Sequence, residues 1–194
     1  MIAVLPGSRP KEIAHNLPGL AGAIASLHAW RPDLEFLLPL APAIDPALLE
    51  PALRGLPVRL IPHGNSRSVL AASQAAMVAS GTATVEAAIQ GAPMVVVYRL
   101  SRMTHFLGRR FVKVPHVAMV NLIAGKRAVP ELIQHDFTPE RVAGEVRSLL
   151  EQPDRREAMK RDLEEVRRRL GERGASERAA AAVDALLGSR SQKT

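Results

Sequence analysis

Cysteine is absent from the 194-residue chain, and aromatic residues make up only 3% of it. The lack of cysteine excludes disulfides and thiolate metal sites and fits a reducing compartment, so we expect a cytoplasmic protein. The few aromatic side chains offer no stacking platform for single-stranded nucleic acid. No apolar run reaches the roughly 18 residues that a membrane-spanning helix needs. No Asp-x-Asp pair is present to hold a divalent metal, and we predict no metal and no cofactor.

Positive charge, in contrast, is abundant and unevenly distributed. The formal net charge of +7 raises nucleic acid as a partner, but no known nucleic-acid-binding module is recognisable, and we predict none. From Arg99 to Arg127 there are seven Lys or Arg residues and no Asp or Glu. A helix predicted over residues 101–114 places apolar side chains on one face and basic ones on another. The basic residues proposed to contact an anionic membrane are Arg102, Arg109, Arg110 and Lys113. The alternative is a core-packed helix whose basic face is solvated.

Apolar runs of strand length alternate with helical patterns along the first 120 residues. Little polar alternation is typical of buried parallel strands. The predicted strands cover residues 2–5, 35–40, 58–61, 75–79, 94–98 and 116–120. The predicted helices cover residues 17–30, 46–53, 66–72, 83–90 and 101–114. This order indicates an α/β fold with a doubly wound parallel, Rossmann-like sheet.

After Asn121 we predict helices only, over residues 138–151, 154–170 and 176–187. Thr138 precedes Pro139 and is a predicted N-cap, since proline favours the first helical position. We therefore expect one domain over residues 1–187, in keeping with the chain length, and a disordered tail over residues 188–194.

Two loops have the composition of phosphate sites. Gly7, Ser8 and Arg9 follow the first predicted strand, and Ser80 and Gly81 follow the fourth. In such loops glycine lets the backbone approach a ligand, and the free N–H groups of the next helix face an anion. Two loops on one sheet predict a site for a nucleotide diphosphate.

These loops belong to a longer pattern that resembles lipid-A-disaccharide synthase in order and spacing. The segments are Pro6-Gly7-Ser8-Arg9 with Glu12-Ile13, Ala79 to Glu86, Pro93 to Arg99, Asn121 to Gly125, and Val129 to Gln134. The resemblance covers nearly the whole chain but only the C-terminal half of that family. It implies the UDP-sugar-binding half of a GT-B type glycosyltransferase whose N-terminal, acceptor-binding domain is absent from this chain. It also favours the membrane interpretation of the basic helix, on the inner face of the inner membrane, because the family's substrates are lipids.

The resemblance also implies roles for individual residues. A leaving diphosphate needs positive charge or dipoles, which Arg9 and the amides around Ser80, Gly81 and Thr82 can supply. Arg9 is the predicted catalytic residue, and the alternative is that it only forms an ordinary surface ion pair. For Ser80 and Thr82 the alternative to ligand binding is that they only cap the helix. Glu86 lies one helical turn beyond Thr82, where its carboxylate can accept from both ribose hydroxyls. Asn121 is predicted at the sugar or diphosphate, or is a turn residue. The catalytic base is expected in the N-terminal half.

The sequence leaves two alternative functions open. It also leaves open whether the chain forms a homodimer. A sugar-nucleotide epimerase of the same architecture would also bind UDP. A non-enzymatic basic domain would bind anionic lipid or nucleic acid without nucleotide specificity. His63, Gly64 and Asn65 are predicted either to border the uracil or to form a polar turn.

Overall fold

The computed structural model describes residues 1–62, 65–99, 116–171 and 174–191. In this part of the chain six strands form one sheet in the order β3-β2-β1-β4-β5-β6, with every neighbouring pair parallel. The strands are β1 (Ile2–Leu5), β2 (Phe36–Pro39), β3 (Val58–Ile61), β4 (Ala75–Ala79), β5 (Met94–Tyr98) and β6 (Glu131–Ile133). This is the strand order of a Rossmann fold, and it confirms the predicted fold class.

Helices connect the strands and complete the chain. They are α1 (Pro10–Trp30), α2 (Glu50–Leu53), α3 (Ser66–Ala72), α4 (Thr82–Ile89), α5 (Met119–Ala124), α6 (Pro139–Glu151), α7 (Pro153–Leu170) and α8 (Ala175–Ser191), with a 3-10 turn at Pro46–Leu48. Thr138 caps α6 as predicted, because its hydroxyl accepts from the Arg141 amide at 3.3 Å. In the described part of the chain, no helix is both long and apolar enough to cross a bilayer.

The strand order reverses between β1 and β4, and this geometry positions the site. From β1 the chain proceeds outward to β2 and β3, then returns across the sheet to β4 and continues outward on the other side. The carboxyl ends of β1 and β4 lie side by side, since Leu5 pairs with Val78. The loops that leave such neighbouring strands diverge and open a crevice, which is where ligands bind in open α/β sheets. The two loops identified in the sequence are these two.

Burial explains why the central strands are almost wholly apolar. Every residue of β1 and β4 is buried, and α1 and α6 pack together over the sheet. At their contact Gly19 of α1 faces the ring of Phe137, the residue before the Thr138 cap. A side chain at position 19 would enlarge the gap between the helices, so glycine permits the close approach.

The structure corrects two predicted elements near the end of the sheet. The strand predicted over residues 116–120 is wrong, because Met119 and Val120 begin α5. The prediction that strands end at Asn121 is wrong as well, because β6 pairs with β5 and places Glu131 opposite Val96. The Glu131 carboxylate accepts from the amides of Val117 and Ala118, the two residues that precede α5. A three-residue edge strand containing a carboxylate has no apolar run for a pattern to detect.

Other boundaries differ by a turn or more. Helix α1 begins at Pro10, earlier than predicted, and continues through Pro18. The segment predicted as one helix over 46–53 is divided into the 3-10 turn and α2. Helix α8 extends to Ser191, into the segment predicted to be a disordered tail. The predicted basic helix over 101–114, with Arg102, Arg109, Arg110 and Lys113, lies outside the described residues.

Candidate functional site

A cavity of about 480 Å³ opens at the carboxyl ends of β1 and β4. Of the residues predicted to bind substrate, Asn121 alone does not line it. The others are Gly7, Ser8, Arg9, Ser80, Gly81, Thr82 and Glu86. The structure therefore brings two loops that are distant in sequence to one crevice at the reversal point of the sheet.

The first loop is shaped around Glu12, three residues into α1. Gly7 has φ +127°, and a Cβ there would lie 2.7 Å from Glu12 Cβ, so only glycine fits. The Ser8 amide donates to Glu12 Oε2 at 3.1 Å, and Arg9 Nη1 donates to Glu12 Oε1 at 2.9 Å. Glu12 thus accepts from two donors of the loop that is predicted to bind phosphate. Sequence reasoning gave Glu12 no role, although its spacing of three residues from the N-cap Arg9 resembles a capping box.

Asn16 of α1 connects this loop to the neighbouring part of the sheet through two hydrogen bonds. It is fully buried, its Nδ2 donates to the Pro6 carbonyl at 3.0 Å, and its Oδ1 accepts from the Arg99 amide at 3.1 Å. One amide side chain thereby joins the loop after β1 to the end of β5. This buried link was missed by the sequence analysis, because nothing in the helical pattern marks Asn16 as buried.

The second loop supplies backbone donors at the start of α4. Gly81, with φ +155°, is the N-cap residue, and its carbonyl accepts from the Thr84 amide and hydroxyl. The Ser80 amide donates to the Val97 carbonyl at 2.9 Å and is therefore not free for a ligand, which corrects one predicted donor. Among the described residues, none accepts from the amides of Gly81 and Thr82. These N–H groups, at the positive end of the helix dipole, are available to an anion.

Glu86 lies one turn further along α4 and lines the cavity with its half-buried side chain. Its Oε2 accepts from the Ser66 hydroxyl of α3 at 2.9 Å. Ser66 was missed because it belongs to a different helix and no spacing rule connects the two residues. Asn65, predicted either to border the uracil or to belong to a polar turn, caps α3 by accepting from the Ser68 amide. His63 and Gly64 lie outside the described residues.

Asn121 lies in α5 rather than at the end of a strand, and it is fully buried. Its Oδ1 accepts from the Val129 amide, and its Nδ2 donates to the Val129 carbonyl and to Glu131 Oε1. These hydrogen bonds use the side chain to attach α5 to the segment entering β6. Two residues earlier on the same helix, Met119 does line the cavity. A ligand contact by Asn121 stays a prediction.

The fold and the cavity together define the class: a Rossmann-like domain of the kind found in GT-B glycosyltransferases. Among solved structures the chain resembles the calicheamicin glycosyltransferase CalG4 with a TM-score of 0.58 and 24% identity, over 96% of this chain and 42% of that one. It also resembles a UDP-GlcNAc 2-epimerase from Neisseria meningitidis, solved with UDP-GlcNAc, with a TM-score of 0.56 and 16% identity, over 96% of this chain and 43% of that one. At these identities the likeness is one of fold.

The chain belongs to the lipid-A-disaccharide synthetase family, whose family model matches residues 1–186. It is 49% identical over 185 residues to the lipid-A-disaccharide synthase of Anaeromyxobacter dehalogenans strain 2CP-C, covering 94% of this chain and 48% of that protein. The chain thus spans about half the length of the curated relatives it matches. Family membership confirms the predicted resemblance and makes the epimerase alternative the weaker one.

Proposed function

We propose that this chain is the UDP-sugar-binding half of an inverting glycosyltransferase. The reaction transfers 2,3-diacylglucosamine from its UDP derivative to 2,3-diacylglucosamine 1-phosphate, giving lipid A disaccharide 1-phosphate and UDP. The observation on which this rests is the cavity at the strand reversal, where the loops before α1 and α4 converge. Membership of the chain in the synthetase family supports this substrate among the ligands that such a cavity could hold.

The donors of the cavity fit a leaving diphosphate. Negative charge develops on the UDP oxygens as the glycosidic bond breaks, and fixed donors aimed at that charge lower the barrier. In the proposed complex the amides of Gly81 and Thr82 hold one phosphate at the start of α4. Arg9 contacts the diphosphate from the other loop after exchanging its bond to Glu12 for one to phosphate. That exchange costs little, because the Arg9 side chain is 79% exposed and exposed ion pairs contribute only about 0–1 kcal/mol.

The ribose is assigned to Glu86. An ionised carboxylate has about four lone-pair positions and can accept from two vicinal hydroxyls. Glu86 is the described carboxylate that lines the cavity from α4, one turn beyond the proposed phosphate donors. In this proposal the start of α4 faces the phosphates, and Glu86, one turn further along the same helix, faces the ribose.

We assign the binding of the acceptor sugar, and the catalytic base, to the N-terminal half of the full-length relatives. Transfer requires the acceptor hydroxyl to be held against the anomeric carbon, and a misplacement of about 1 Å can cost a hundredfold in rate.

We further propose peripheral attachment to the inner face of the inner membrane. The acid-free stretch from Arg99 to Arg127 supports attachment to anionic lipid. Three exposed apolar residues within the same stretch add to that support: Val117, Met119 and Leu122.

Two measurements on the purified chain test the proposal. UDP should raise the thermal unfolding temperature in a saturable manner, because a ligand specific for the folded state stabilises it by about 2.7 kcal/mol at a hundred times Kd. Labelled lipid substrates should give no disaccharide with this chain alone and should give it when the N-terminal half of a relative is added. Stabilisation by heparin equal to that by UDP would favour a non-enzymatic polyanion-binding domain. Disaccharide synthesis by the chain alone would contradict the division of labour between the halves.

A further inference from the structure

The hydroxyl of Ser66 meets the carboxylate of Glu86 across two helices. Ser66 is the first residue of α3 and directly follows the N-cap Asn65, whose side chain accepts from the Ser68 amide at 3.3 Å. Glu86 lies in the second turn of α4. Both side chains are half-buried and line the cavity, and the Ser66 Oγ donates to Glu86 Oε2 at 2.9 Å. The contact therefore lies inside the proposed nucleotide site.

This bond holds one oxygen of the carboxylate and leaves the other available. No residue of the described part of the chain donates to Glu86 Oε1. The terminal torsion of a glutamate is broad, so an untethered carboxylate samples many orientations and loses that freedom when it binds a ligand. A donor that already fixes the carboxylate in the free protein removes part of that loss, which is the general advantage of preorganisation.

We propose that Ser66 is a positioning residue that orients Glu86 for the ribose of the sugar nucleotide. The inference rests on the proposed function, in which Glu86 accepts from the ribose hydroxyls. Ser66 itself does not contact the reacting atoms. Its contribution is specificity: the oriented carboxylate distinguishes a nucleotide with both ribose hydroxyls from one that lacks a hydroxyl. A purely structural role, in which the bond only attaches α3 to α4, would affect folding without changing that discrimination.

Titration calorimetry of UDP and 2′-deoxy-UDP separates these two roles. Ser66→Ala should weaken UDP binding roughly 3- to 10-fold, the range expected for one hydrogen bond, and should weaken 2′-deoxy-UDP binding less. The preference for UDP therefore falls. Ser66→Thr keeps a hydroxyl at the same position and should restore the preference. Ser68→Ala removes an exposed hydroxyl two positions further along the same helix and should leave both affinities unchanged.

Glu86→Gln separates failure of this inference from failure of the proposed function. If Glu86→Gln leaves the ratio of the two affinities at its original value, the ribose assignment of Glu86 is wrong. If Glu86→Gln abolishes the preference while Ser66→Ala retains it, Ser66 is structural and the positioning role alone is overturned. Should Ser66→Ala prove too unstable to titrate, Ser66→Cys has a similar size and only a weak S–H donor, and the same loss of preference is expected.

Discussion

Arg9 and Glu12 both line the cavity and form an ion pair, with Nη1 and Oε1 2.9 Å apart. Glu12 also accepts from the Ser8 amide, so its carboxylate lies where the proposed function places a phosphate. Each of the two side chains thereby pairs with an opposite charge. A bound diphosphate would take over the guanidinium, and the expected effect of replacing Arg9 depends on that exchange.

Replacing Arg9 by alanine should weaken UDP binding about 10- to 100-fold and leave uridine binding nearly unchanged. A hydrogen bond from a charged donor to phosphate contributes about 1.5–3 kcal/mol, and the lost ion pair offsets little of it. Calorimetric titration of both ligands measures the difference. Lys11→Ala, which removes a neighbouring exposed cation, serves as the control and should have a small effect on UDP. Equal losses for UDP and uridine would show that Arg9 does not contact the diphosphate.

Replacing Thr82 by proline deletes one proposed backbone donor without disturbing the helix. Thr82 is the first residue of α4, where proline is favoured, and the preceding Gly81 has an extended ψ of −161° that proline accepts. We expect Thr82→Pro to weaken UDP binding by about 1–2 kcal/mol at little cost in stability. Thr82→Ala keeps the amide and removes only the side chain. If Thr82→Pro and Thr82→Ala bind UDP with the same affinity, the Thr82 amide is not a phosphate donor.

Replacing Asn16 by alanine should destabilise the fold by about 2–4 kcal/mol. The change strands the Pro6 carbonyl and the Arg99 amide, both of which this buried side chain satisfies. Chemical denaturation gives the free energy of unfolding. Asn65→Ala, which removes an exposed helix cap, is the matched control and should cost about 1 kcal/mol. If the two variants are equally stable, the link between the loop and β5 is not an important part of the fold.

Two glycines in helices should respond to alanine with opposite signs. At Gly19 a Cβ would lie 2.8 Å from the buried Phe137 ring, so overpacking should cost about 1–3 kcal/mol. At Gly144 in α6 a Cβ meets nothing within 4 Å, and alanine should stabilise the helix by about 0.5–1 kcal/mol. Thermal unfolding would show a lower midpoint for Gly19→Ala and a higher one for Gly144→Ala. A higher midpoint for both variants would mean that the α1–α6 contact is looser than the 2.8 Å approach at Gly19 indicates.

The amino-acid sequence by itself determined the local features of this protein. Buried parallel strands are continuous apolar runs, so β1, β3, β4 and β5 were predicted with their observed bounds. The glycine-containing loops after β1 and β4 were recognised because positive φ and close backbone approach require that residue type. Helix starts marked by a side-chain cap, such as Thr138, were predicted for the same local reason.

Only the tertiary structure decided which residues meet across the sheet. Ser66 reaches Glu86 from another helix, and Asn16 joins the first loop to the end of β5, contacts that no spacing in the sequence encodes. Asn121 stands in a family-like segment, yet packing directs its amide to Val129 and Glu131. The edge strand β6 exists because β5 offers it an unpaired edge, not because its three residues prefer extended backbone. Local preference selects helices, strands and turns, whereas the sharing of hydrogen bonds between distant segments depends on how those elements pack.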